Sequence, residues 1–138
     1  MTNSILLLLA EDEPLVQLSN QDVLQGGGYT VLAASDGTEA MAIIEDRHEE
    51  LAGLVTDIRL GKGPNGWELA HRARELKPLI AVVYATGDSA GEWAANGVPN
   101  SVVLQKPFAG AQLLSAISSL LNEAASKAPP PEPPAEGE

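Results

Sequence analysis

Five short apolar runs recur along the chain, each giving way to a loop and then to a stretch with helical spacing. They are Ile5–Ala10, Tyr29–Ala33, Leu54–Thr56 leading into Asp57, Leu79–Ala85 and Ser101–Gln105. Each has the length of a strand. The first, Ile5-Leu6-Leu7-Leu8-Leu9-Ala10, shows no alternation, as befits a central strand buried on both faces. Strands alternating with helices imply parallel pairing, because each helical crossover carries the chain back to the starting edge. Right-handed crossovers then lay helices on both faces. The pattern predicts an α/β domain with a doubly wound, five-stranded parallel sheet and five helices.

The helices have their own punctuation. Pro14 suits the first position of a helix running to about Gln25, where its missing N–H costs nothing. Glu11, Asp12 and Glu13 stand at the positive end of that helix's dipole. Leu15, Leu18, Val23 and Leu24 form its apolar side, interrupted by Ser19 and Asn20, and Gly26-Gly27-Gly28 stops it. Asp36-Gly37-Thr38-Glu39 has the form of a capping box, opening a helix with Ala40, Met41 and Ile44 on one side. A third helix starts at Gly66-Trp67, with Trp67, Ala70, Ala73 and Leu76 at helical spacing, and ends before Pro78. A short Ala-rich helix spans about Ala90–Ala95. The last helix carries Leu113, Leu114, Ile117, Leu120 and Leu121 as a clean apolar stripe. From Ala128 the sequence Pro-Pro-Pro-Glu-Pro-Pro-Ala-Glu-Gly-Glu has nothing to bury. The expected organisation is one domain over residues 1–125 and an acidic, proline-rich tail over 126–138.

Acids outnumber bases 19 to 8, for a net charge of −11, so direct nucleic-acid binding is excluded and a cation site or basic partner is favoured. The absence of Cys excludes disulfides and thiolate metal sites. Ile5–Ala10 has neither the length nor the basic flank of a signal peptide or membrane span, so a soluble, cytoplasmic protein is expected.

In a doubly wound sheet every strand-to-helix loop lies along one edge. Strand 1 brings Glu11, Asp12 and Glu13 there, strand 3 brings Asp57, strand 4 Thr86 and strand 5 Lys106. The carboxylates repel one another unless a cation lies among them. An all-oxygen donor set favours a hard cation, Mg2+ before zinc. With a lysine and a hydroxyl beside it, such a cation equips a site for phosphoryl transfer, with a carboxylate as nucleophile.

Taken together, Glu11-Asp12-Glu13-Pro14, Asp57, Thr86-Gly87 and Lys106-Pro107-Phe108, each after a strand and in this order, resemble the receiver domain of two-component response regulators. The likeness covers roughly residues 4–124. It implies a flavodoxin-like sheet of order 2-1-3-4-5. It implies that Asp57 accepts a phosphoryl group from a sensor histidine kinase or phosphotransfer protein. Asp12, Asp57 and the backbone carbonyl of Arg59 would bind Mg2+, with Glu11 holding it through water. Lys106 would contact the phosphoryl group, Thr86 would reorient toward it, and a cis peptide would precede Pro107. No DNA-binding segment follows the last helix, so the output is expected to be another protein, or the chain is a phosphate relay or sink.

The chain departs from the family at two places. An aromatic usually stands three residues before the lysine, where this chain has Val103; Tyr84 is the candidate to take over part of its role. The loop after Asp57 is also longer and richer in Gly and Pro. Tyr84-Ala85-Thr86-Gly87 resembles a receiver subgroup with Phe-Ala-Thr-Gly there, noted for an unusual fourth helix. Arg59 and Asp88, each two residues beyond a site residue, either pair across the mouth and slow water attack or are merely solvated. Glu13 reads as a solvated acid, His48 and His71 as surface residues, and Trp67 as packing. Trp93 reads as helix surface or partner contact.

Two enzyme classes fit poorly. A haloacid-dehalogenase-type phosphatase needs an acid two residues after its nucleophile, where this chain has Arg59. A dinucleotide-binding enzyme needs a Gly-rich loop after the first strand. The remaining alternative is a pseudo-receiver that binds partners without phosphorylation.

Overall fold

The structure, a computed structural model, describes residues 4–127. Five strands, β1 (Leu6–Ala10), β2 (Thr30–Ala34), β3 (Leu51–Thr56), β4 (Ala81–Thr86) and β5 (Ser101–Gln105), alternate with α1 (Pro14–Gly26), α2 (Gly37–Arg47), α3 (Gly66–Leu76), α4 (Trp93–Asn96) and α5 (Gly110–Lys127). Every strand pair is parallel, in the order β2-β1-β3-β4-β5. This is the doubly wound sheet that the apolar runs imply.

The two-residue period of the strands sorts the core into two layers. Leu8, Ala10, Leu54, Val82 and Tyr84 face α2 and α3, packing on Ala40, Ile44, Leu69, Ala70 and Ala73. Leu7, Leu9, Val55, Ala81 and Val83 face α1 and α5, packing on Leu24, Leu113, Ile117 and Leu120. Apolar burial on both faces explains why these runs lack alternation.

Several boundaries and faces differ from expectation. β4 begins at Ala81, two residues late, because Leu79 is 38% exposed and lies before the sheet. In α1 the buried positions are Asn20 and Leu24, while Leu15 and Leu18 are 82% and 56% exposed. Positions 16, 20 and 24 share one helix face, and that face meets the sheet, leaving Leu15 and Leu18 outside it. Asp36 accepts from the Glu39 amide at 2.8 Å, but Glu39 turns back to the Ser35 amide, so the expected box is only half formed. The full capping box is at Asn65 and Glu68, which exchange hydrogen bonds of 2.9 Å and fix the start of α3.

The fourth helix is a 3-10 turn, Ala90–Glu92, followed by the four-residue α4, and neither buries a residue. The helix α5 runs on to Lys127, and the remainder of the expected tail, residues 128–138, lies outside the described residues. No described helix is long and apolar enough to cross a membrane.

Candidate functional site

Backbone ladders bring the carboxylates together. The Asp57 amide donates to the Ala10 carbonyl, and the Glu11 amide to the Ala34 carbonyl, both at 3.0 Å. β3 and β1 therefore deliver their acidic tips side by side. The Lys106 amide donates to the Thr86 carbonyl at 2.8 Å, closing β5 against β4. The Lys106–Pro107 peptide is cis.

Lys106 joins the groups thus gathered. Its ammonium donates to Glu11 Oε1 at 2.7 Å and to Asp57 Oδ2 at 2.9 Å. Two of its three N–H donors are engaged, and the third has no partner among the described residues. The other Asp57 oxygen accepts from the Ile58 amide at 2.6 Å, which sets the carboxylate plane. Burial pulls Lys106 toward neutrality, but its hydrogen bonds to Glu11 and Asp57 and their charge outweigh this and hold it above its ordinary range. Burial pushes the Glu11 carboxyl up, and the Lys106 bond offsets only part of the shift. Glu11 is 1% exposed and forms the floor, with its second oxygen accepting from the Glu13 amide.

Carboxylate oxygens of Glu11, Asp12 and Asp57 lie within 4.8 Å of one another. With Lys106 counted, three acids face one base, which leaves room for a divalent cation. All the donors are oxygens, so the set fits a hard ion such as Mg2+. A cleft lined by Asp12, Glu13, Asp57, Arg59, Gly87, Asp88 and Lys106 opens above them.

The other expected residues fall as follows. Arg59 follows Ile58 at the cleft wall, and its guanidinium pairs with Asp88 across the mouth at 3.3 Å. Both side chains are more than half exposed, so the bridge is screened by solvent. Thr86 is fully buried, and its hydroxyl accepts from the Ser89 amide at 3.1 Å and, more weakly, from the Asp88 amide at 3.4 Å. It makes no hydrogen bond to Asp57 or Lys106 among the described residues. Glu13 is exposed, as expected of a solvated acid, and stands at the cleft rim, with its amide donating to Glu11.

His71 is exposed and His48 half-buried, each bonded to a helix-end carbonyl away from the cleft. Trp67 packs on Tyr84, with ring centroids 4.6 Å apart. Sequence spacing marks Gly66 as a helix start but not as a neighbour of Asp57. A Cβ there would collide with the Asp57 carbonyl, so glycine alone lets the third helix start against the acidic strand tip. The signal was the Asn65-Gly66-Trp67-Glu68 spacing of a capped helix.

A sequence model of the response regulator receiver domain matches residues 7–118. The response regulator receiver protein CpdR of Brucella abortus (strain 2308) is 30% identical over 117 residues, covering 83% of this chain and 95% of CpdR. The sensor kinase CckA of the same strain is 30% identical over 125 residues, 89% of this chain, which spans only 13% of the length of that relative. A solved response regulator receiver protein from Sinorhizobium medicae WSM419 shares 42% identity at a TM-score of 0.85, over 88% of this chain and 98% of that one.

Proposed function

The chain belongs to the response regulator receiver family, and we propose that it is a phosphoacceptor switch, Mg2+-dependent, in which Asp57 takes a phosphoryl group from a histidine kinase or phosphotransfer protein. The observation that carries this reading is the Lys106 ammonium bonded at once to Asp57 and to buried Glu11, with Asp12 alongside. An Asp57 carboxylate oxygen bonds to phosphorus as the bond from phosphorus to the donor's imidazole nitrogen breaks. The electron pair leaves with the imidazole. Lys106, held charged, offers its third N–H to a phosphoryl oxygen as charge builds there. Glu11 keeps Lys106 aimed, and the Ile58 amide keeps Asp57 from rotating.

Asp12, Asp57, the Arg59 carbonyl and, through water, Glu11 are the proposed metal ligands. Mg2+, when bound, offsets charge on the transferring oxygens. Thr86 is the proposed sensor of the new group, and water attack on the acyl phosphate, without any second protein, ends the signal. A cytoplasmic location, a domain over residues 1–125 and output through a downstream protein belong to the same reading.

Asp12 and Glu13 of the β1–α1 loop and Lys106 at the end of β5 border the cleft at Asp57. Leu15 and Leu18 stand exposed there on α1, and Leu15 shares a groove with Lys106, Pro107 and Phe108. We read them as the ledge on which a protein donor rests. Changing both to serine is expected to slow transfer from a phosphorylated histidine phosphotransfer protein by about tenfold or more. Labelling by acetyl phosphate should stay as in the wild type. Equal loss with both donors would remove the docking role.

Acetyl phosphate with Mg2+ also tests the acceptor. The wild type is expected to gain the mass of one phosphoryl group, labile to base, and to lose that gain on EDTA treatment before labelling. Asp57→Asn should show no gain. An unlabelled wild type, under conditions that label a control receiver and with a protein donor also failing, would leave the pseudo-receiver reading.

A further inference from the structure

The β2–α2 turn, Ala34–Thr38, holds main chain on both sides of the acidic cluster, although no residue of β2 or α2 lines the cleft among the described residues. Toward β1, the Ala34 carbonyl accepts from the Glu11 amide at 3.0 Å. The Gln17 side-chain amide bridges the same place, donating to the Glu11 and Ala34 carbonyls at 3.0 and 3.2 Å. Toward β3, the Gly37 amide donates to the Lys62 carbonyl at 2.8 Å.

The contact with the loop after Asp57 is backbone against backbone. A Cβ on Gly37 would collide with the Pro64 carbonyl, and a Cβ on Gly63 with the Thr38 amide and hydroxyl. Gly63 also has a φ of +82°, so glycine alone meets both demands there. The Lys62 ammonium stands 4.0 Å from Asp36 but is 77% exposed, so that pair adds little and the main chain does the holding.

Between Asp57 and this contact the chain has no slack. Ile58 and Leu60 are buried, so Arg59 is drawn between two core side chains. The Ile58 carbonyl accepts from the Gly66 amide at 2.8 Å. Gly61 turns the chain at a φ of +76°, and the Lys62 amide returns to the Leu60 carbonyl at 2.9 Å. A Cβ on Gly61 would stand 4.0 Å from Asp12 Oδ2, so the turn passes beside the acidic cluster. Close-packed main chain transmits a displacement rather than absorbing it. A shift at the start of α2 therefore reaches Arg59, three residues before Lys62.

We infer that the β2–α2 turn is a bracket for the cation, with Gly37 and Gly63 as positioning residues that keep the Arg59 carbonyl in reach of the ion that Asp12 and Asp57 hold. Through Ala34 the same turn fixes Glu11. The Gly- and Pro-rich loop after Asp57 is then a brace seated on α2. The inference rests on the Mg2+ reading of the acidic cluster. Groups that orient a metal ligand without touching the metal change its affinity by about 10- to 100-fold.

The test is a Mg2+ titration of the full, unphosphorylated chain, followed by carbon NMR at the Asp57 carboxyl and the Arg59 carbonyl, beside urea unfolding without metal. In the wild type both carbons are expected to move with Mg2+. Gly37→Ala and Gly63→Ala should each bind Mg2+ about tenfold more weakly, with the Arg59 response reduced and the Asp57 response kept at saturation. Gly63 lies in an exposed loop, so its variant reports even if Gly37→Ala does not fold. Gly28→Ala, at a φ of +97° with nothing within 4 Å of its Cβ, is the strain control. It should lose stability and keep the wild-type affinity. Bracket variants that lose stability yet bind Mg2+ as the wild type does overturn the inference. So does an equal loss of affinity in Gly28→Ala, because affinity would then only follow stability. A wild-type Arg59 carbon that stays still while Asp57 responds removes that carbonyl from the ligands and the bracket with it. If neither carbon moves, the Mg2+ reading itself fails.

Discussion

Lys106→Met is expected to slow phosphorylation of Asp57 by acetyl phosphate about 10²- to 10³-fold, the usual effect of removing one preorganised donor from developing charge. The side chain keeps an apolar stem of similar reach, without the terminal nitrogen, and loses every N–H. Asp57 and Glu11 both lose their shared partner, and Glu11, at 1% exposed, keeps only the Glu13 amide. The variant should therefore also lose about 1–3 kcal/mol of stability in urea at neutral pH without metal, the cost of an unpaired buried acid. Lys106→Arg should recover stability better than rate, because a planar fork does not reproduce a point charge shared between two carboxylates. A Met variant that labelled at the wild-type rate would remove Lys106 from the chemistry.

Gly66→Ala, a change of one methyl group at a residue that is not itself a proposed ligand, should be nearly as damaging. Its Cβ would fall on the Asp57 main chain, and the Gly66 amide is bonded to the Ile58 carbonyl at 2.8 Å, so α3 has no slack. Either the strand tip or the helix start has to shift. Overpacking of this kind costs about 1–3 kcal/mol, and displacing a reacting carboxylate by about 1 Å can cost 10²-fold in rate. Urea unfolding and the labelling rate check the two effects together. Gly91→Ala, where a Cβ meets nothing within 4 Å, is the matched control and should stay within about 0.5 kcal/mol of the wild type.

Much of this site is legible from spacing. Apolar runs that end in Glu11-Asp12-Glu13, Asp57, Thr86 and Lys106 specify one sheet edge once the alternation of strand and helix is recognised. What spacing hides is contact between loops. Arg59 and Asp88 meet only because β3 and β4 are neighbours in the sheet, and the contact between them is observed while both side chains stay more than half exposed. Leu15 and Leu18 look like core on a helix whose buried face instead includes Asn20, since a polar residue at a core position breaks the pattern that marks a face. The hydrogen bond from the Val98 amide to the Tyr84 hydroxyl leaves no trace in local sequence, because it depends on where a loop returns.

The two sides of the sheet differ in charge. α2 and α3 carry charges that pair across and along them, Arg72 with Glu45 and Glu75 and Arg47 with Glu50. Among the described residues, the helices of the other side carry only Asp22 in α1 and Glu123 and Lys127 in α5. A titration with sodium chloride is therefore a compass for this molecule. A complex seated on the α1–α5 side should keep its affinity as ions are added, while one seated on α2 and α3 should weaken steeply as the Debye length contracts. The slope alone would tell which way the protein is facing in any assembly it joins.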